Sequence, residues 1–177
     1  MMKTRLFGAL LVVVASAGVA NAGGQAGSIG AGVEAQINGA GGASMTYDAG
    51  DFHVGGFLGF HDPGGSNDDV ILIGGRFFYH LHSTAMSDFG LGGTLGIVSQ
   101  NNDPPVDRQT YLFIEPSFQI RAFVTSNVAL SFNAGVVIGV MDADNVDFGG
   151  QLVGGGVSVA GAGVNVTGGA GIHYYFF

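Results

Sequence analysis

Between Ser28 and Asn38 the odd positions are Ile29, Ala31, Val33, Ala35 and Ile37, and the even positions are polar or glycine. A two-residue period puts the two sets on opposite faces of a strand. The pattern recurs over Phe52–His61, Ile71–His82, Asp88–Ser99, Gln109–Ala122 and Val128–Val140, with a short piece at Ala43–Ala49. In Val128–Val140, Leu130, Phe132 and Ala134 share one face, and Ser131 and Asn133 lie on the other. Gly168, Ala170, Ile172, Tyr174 and Phe176 continue it at the end of the chain. These segments predict an all-β protein with eight antiparallel strands.

The character of the second face decides between architectures. A soluble sandwich carries charge on its outward face, yet charged residues make up only 10% of this chain and 34 residues are glycine. Ordinary soluble domains have roughly 25% charged residues. Segments of this length with one apolar face and one small, polar face fit a closed, up-and-down transmembrane β-barrel, apolar side to lipid and polar side to the interior. Closing the sheet satisfies every backbone group, as a bilayer demands. Glycine on the inner face suits a narrow barrel.

The connections agree. Ala49–Asp51, Ser83–Ser87 and Thr125–Asn127 are short, while Asp62–Asp68, Gln100–Arg108 and a stretch beginning at Met141 are longer and polar. Short periplasmic turns alternate with longer outer loops in such barrels. The very short Gly39–Gly42 is an exception, and Gly149–Gly163 is expected as an outer hairpin extension or a segment folded into the mouth, rather than a ninth strand. Tyr47, Phe52, Tyr79 and Phe89 fall beside the short turns on the apolar face, as an interfacial girdle would. Tyr111 and Phe113 fall on the polar parity.

Residues 1–22 read as a secretory signal peptide, leaving 23–177 as the barrel. Lys3 and Arg5 precede an apolar run from Leu6 to Val14, and Ala20-Asn21-Ala22 supplies the small residues of a cleavage site. Without the leader, Arg76, Arg108 and Arg121 stand against 13 acidic residues, a balance of 3 − 13 = −10. Three scattered arginines cannot neutralise a run of phosphates, so no nucleic-acid partner is expected. With no cysteine, there is no disulfide framework and no thiolate metal site.

The chain ends Ile172-His173-Tyr174-Tyr175-Phe176-Phe177. This resembles the C-terminal signal of bacterial outer-membrane barrels, a terminal Phe with aromatic and apolar residues at alternate positions before it. Ile172, Tyr174 and Phe176 supply that parity, and Phe177 is one residue extra. The resemblance covers 23–177, and the strand count is similar to small OmpA-type and OmpX-type barrels. It implies an integral, porin-like, monomeric protein of the Gram-negative cell envelope. Its implied partners are outer-membrane lipid, lipopolysaccharide and the barrel assembly machinery. No cofactor is implied.

The candidate chemistry lies inside. Glu34, Arg76, Glu115 and Arg121 all have inward parity and form an expected lumen charge cluster, with Arg76 and Glu115 as the first pair. They are separated by the Asp88–Ser99 strand, whose Gly90, Gly92 and Gly96 leave space for a long arginine to reach across on this reading. His80, His82 and Ser83 are the nearest approach to a catalytic or metal-binding set, and the His-Leu-His spacing would put both imidazoles on one face. No orienting carboxylate is evident beside them, and they fall at the periplasmic end, away from the lipid A leaflet. Asp142, Asp144 and Asp147 are weak calcium candidates; Val153 replaces the bidentate Glu of an EF-hand, so no metal site is expected. The functional expectation is a non-catalytic structural or surface-interacting barrel. The alternatives are a narrow pore or transporter for small, even apolar, solutes, and a lipid A-modifying enzyme.

Overall fold

A computed structural model describes residues 25–36, 40–62, 69–100, 109–142, 145–147, 157–159 and 164–176. The expected leader and Phe177 lie outside the described residues. The strands are β1 (Ile29–Gln36), β2 (Gly41–Asp48), β3 (Phe52–His61), β4 (Val70–Ser83), β5 (Ser87–Gln100), β6 (Gln109–Phe123) and β7 (Val128–Asp142). They are followed by β8 (Asn145–Asp147), β9 (Val157–Val159) and β10 (Val164–Phe176).

Neighbours from β1 to β7 pair antiparallel, and β10 pairs with β7 on one edge and β1 on the other. Eight long strands therefore close into a barrel. Short β8 pairs with the end of β7, and short β9 with the start of β10. The Gly149–Gly163 region thus contributes β9 to a hairpin with β10, while 148–156 lie outside the described residues.

The register is staggered. Val166 lies opposite Val136, and the row continues through Pro116, Gly93, Phe77, Val54, Tyr47 and Ile29 to Phe176. The step from Pro116 to Val136 follows the register between Ile114↔Ile138 and Ser117↔Gly135. One circuit thus returns to β10 displaced by 176 − 166 = 10 residues. Eight strands with that stagger tilt by roughly 40° from the barrel axis.

Alternation sorts the side chains as the sequence predicts on the outside. Val33, Met45, Leu58, Ile73, Leu95 and Phe132 all point outward and are exposed, each over half of its surface. Ile172, Tyr174 and Phe176 join them, and the Tyr174 and Phe176 rings meet edge to face at 5.0 Å.

The inside departs from expectation. At the end bearing the longer connections (the loop end), the interior is apolar: Phe57, Leu72, Val98, Phe113 and Val137 are buried against one another. The expected uniformly polar lumen is therefore corrected, and Phe113 is a member of this cluster rather than an exception on the wall. At the opposite end, where residues 49–51, 84–86 and 124–127 form short turns (the turn end), Phe123, Ala129 and Tyr175 pack together. Gly50 adopts a positive φ of 94° there, and its N–H donates to Asp48 Oδ1 at 2.9 Å.

Candidate functional site in the barrel interior

Strand β6 shows the layering. From the loop end its inward residues are Phe113, Glu115, Ser117, Gln119, Arg121 and Phe123, all buried. Apolar layers thus cap a polar middle that holds two separate charge clusters.

The middle cluster centres on Arg76 of β4. Its Nη1 donates to both carboxylate oxygens of Glu34, at 2.7 and 2.6 Å, and its guanidinium lies 4.6 Å from the centroid of the Phe57 ring. His173 Nε2 lies 3.3 Å from Glu34 Oε1 and 2.6 Å from Ser44 Oγ. Glu115 accepts a side-chain hydrogen bond from Asn133, while its Oε1 has no partner. The expected first pair, Arg76 with Glu115, is therefore replaced by Arg76 with Glu34. The reason is local. On β5 the residue in register with Arg76 is Thr94, not a glycine, whereas on β3 it is Gly55. A Cβ on Gly55 would lie 3.6 Å from Arg76 Cγ, so the side chain crosses over this bare position toward β1.

Arg121 belongs to a second cluster at the turn end. Its Nη2 is 2.7 Å from both Asp48 Oδ2 and Asp88 Oδ2 and 3.0 Å from His80 Nε2. Its Nη1 donates to Tyr175 Oη at 3.1 Å. His80 Nε2 also lies 2.8 Å from His53 Nδ1, and His80 Nδ1 lies 2.7 Å from the Gly50 carbonyl oxygen. The His53 ring stacks on Phe78 at 5.3 Å. Residues of four strands, β2, β4, β5 and β10, therefore meet at the guanidinium carried by β6, and β3 and the 49–51 turn join through His80.

Asp48, His80 and Asp88 bring their ligand atoms within 4.8 Å of one another, spacing that would suit a metal ion. The Arg121 Nη2 already contacts all three, so the cation of this site is the guanidinium. The expected sharing of one face by His80 and His82 does not hold. A register shift between them leaves His80 inward and turns His82 and Ser83 out to an exposed hairpin. Asp144 lies outside the described residues, and Asp142 and Asp147 are placed only as strand positions of β7 and β8.

Sequence reasoning missed Asp48, His53, Asp88, His173 and Tyr175. Each sits on inward parity, and each was passed over because its strand was weighed by its apolar face.

The inner glycines do not leave open space. Neighbouring rings fill them: a Cβ on Gly30, Gly74 or Gly96 would come within 2.9, 2.8 and 2.6 Å of the Tyr175, Phe57 and Phe113 rings. No protein-family model and no curated protein matches the sequence. Among solved structures the chain is similar to the N-terminal β-barrel domain of OprF from Pseudomonas aeruginosa, with a TM-score of 0.58 and 13% identity. The match covers 85% of this chain and 98% of that one. At that identity the likeness is one of fold, and the fold is that of the small, eight-stranded OmpA-like barrels.

Proposed function

We propose that this protein is an integral barrel of the bacterial outer membrane whose interior is sealed, and that it acts through its structure and its loop-end surface rather than by catalysis. The observation that carries this reading is the inversion of the usual globule. Charged pairs Arg76–Glu34 and Arg121–Asp88 are buried inside, while Met45, Val33, Leu81 and Phe176 stand exposed around the outside, each at 55% or more. Soluble monomers rarely expose contiguous apolar patches beyond a few hundred Å². In lipid the same surface is matched to its solvent, and the eight-strand wall closes on itself, so its backbone groups pair within the sheet.

Eight of the 13 acidic residues, from Asp62 to Asp147, fall in or beside the longer connections. They supply an acidic face at the end proposed to be external, suited to the divalent-bridged anionic surface of lipopolysaccharide. Assembly by the barrel-folding machinery through Ile172, Tyr174, Phe176 and Phe177 belongs to the same proposal.

The test is gel mobility in detergent with and without boiling, together with membrane fractionation. A compact species that slows on boiling and sediments with outer membranes is expected. A soluble species with unchanged mobility would overturn the reading. Deleting Phe176 and Phe177 should leave unassembled chain in the periplasm.

A further inference from the structure

The hydrogen bonds at the turn end fix one ring proton of His80. The Gly50 carbonyl can only accept, so His80 Nδ1 bears a hydrogen. Arg121 can only donate, and its Nη2 has two hydrogens for Asp48, Asp88 and His80, so a neutral His80 offers its Nε2 lone pair as one of three competing acceptors. With His80 neutral, its bare Nε2 accepts from His53 Nδ1 at 2.8 Å. In that state one lone pair on His80 receives two donors.

We propose that His80 is a proton-operated latch on Arg121. A proton placed on His80 Nε2 turns the shared acceptor into a third donor. The Arg121 and His53 N–H groups then point at an N–H within 2.8–3.0 Å, and both bonds are lost. The ligand atoms of Asp48 and Asp88 lie within 4.8 Å of the His80 nitrogen, near enough for an imidazolium to bond to them. A protonated His80 competes with Arg121 for them. Arg121 keeps Tyr175 on its other side, and Phe123 and Tyr175 flank its guanidinium at 5.5 and 5.9 Å. It therefore has a place to retreat to, against β10. Among the described residues, those set against His80 are Asp48 from β2, Gly50 and Asp51 from the turn, His53 from β3, Asp88 from β5 and Arg121 from β6. Acid would exchange a guanidinium-centred closure for an imidazolium-centred one.

The latch can be read in the intact protein, refolded in detergent micelles, by 15N resonances of the histidine rings and the Arg121 side chain from pH 8 to pH 5. The expected starting point is His80 protonated at Nδ1 and bare at Nε2. As His80 takes up a proton, the Arg121 side-chain resonances should move with the same midpoint, and His80→Gln should abolish most of that movement. His82→Gln, at an exposed position, should leave it unchanged. The proposal is overturned if His80 stays neutral throughout this range, if it protonates while Arg121 is still, or if the Arg121 shift survives in His80→Gln. The wild-type titration decides the matter even if His80→Gln fails to fold.

Discussion

Arg76 and Arg121 are the two arginines of the described barrel, and each is buried among carboxylates chosen by what its neighbours lack. Arg76 turns toward Glu34 because Gly55 clears that side and Thr94 does not clear the other. A buried charge stripped of its partner costs on the order of 3–5 kcal/mol. Glu34→Leu should therefore destabilise the barrel by about that much, and adding Arg76→Met should recover part of the loss. A double-mutant cycle of unfolding in detergent should give a coupling of about 1–3 kcal/mol for Arg76 with Glu34. Coupling as large or larger between Arg76 and Glu115 would contradict the pairing described above. The inward parity of all four expected charges was legible in the sequence. Their partners were not, because parity assigns a face but cannot say which way round a closed sheet a long side chain leans.

At the scale of the strand, the alternation located each of the eight barrel strands to within a few residues, since one face meets apolar surroundings and the other does not. It failed where a strand stopped alternating regularly. The irregularity between His80 and His82 in β4 breaks the period, and no turn residue announces it. The glycines were read correctly as inward-facing and wrongly as empty, because the sequence does not show how close the next strand lies. Gly92 and Gly75 separate these effects. A Cβ on Gly92 would sit 1.8 Å from the Phe77 carbonyl oxygen, whereas one on outward Gly75 would find its nearest neighbour, the Gly55 carbonyl oxygen, at 3.7 Å. Gly92→Ala should cost at least about 1–3 kcal/mol through overpacking. Gly75→Ala should be neutral or stabilise by roughly 0.5–1 kcal/mol, as the strand loses a flexible residue. Thermal conversion of the compact form on gels would rank the two; equal effects would show that the inner wall is not as tight as described.

For the molecule as a whole, the interior layers form three obstacles in series: the Phe57–Phe113 cluster, the Arg76–Glu34 pair and the Arg121 cluster. Planar bilayers containing the wild type should carry no sustained ion current. Phe113→Ala alone should leave them silent, because two obstacles remain; a steady current from either protein would move the balance to the pore alternative. The exterior makes its own demand. Phe132, 52% exposed, points away from the interior. On the membrane reading, Phe132→Arg should cost about 2–4 kcal/mol near mid-depth. The same substitution would be nearly free on a water-facing wall, so stability in lipid vesicles distinguishes the two.

The ten-residue stagger has a further consequence for the rim. Gly41, Phe60, Ile71, Ser99 and Thr110 lie on one register row, at or near the loop ends of β2 to β6. On a flat sheet they would be level. Wound round the tilted barrel, the row climbs by roughly 12 Å over four strand spacings. The rim is thus a spiral stair, low at the β1–β2 corner and high toward β6 and β7. A stair that closes on itself must have a riser, and here it stands where β10 and β7 overtop their neighbours. There β10 extends past its last pairing with β1 at Gly169, and β7 past its last pairing with β10 at Val137. These overhangs would be bare strand edges, open to another chain. The segments β8 and β9 lie on them, pairing with β7 from Gly139 onward and with β10 at Val164–Val166. The two smallest strands of the molecule are accordingly located by its winding number.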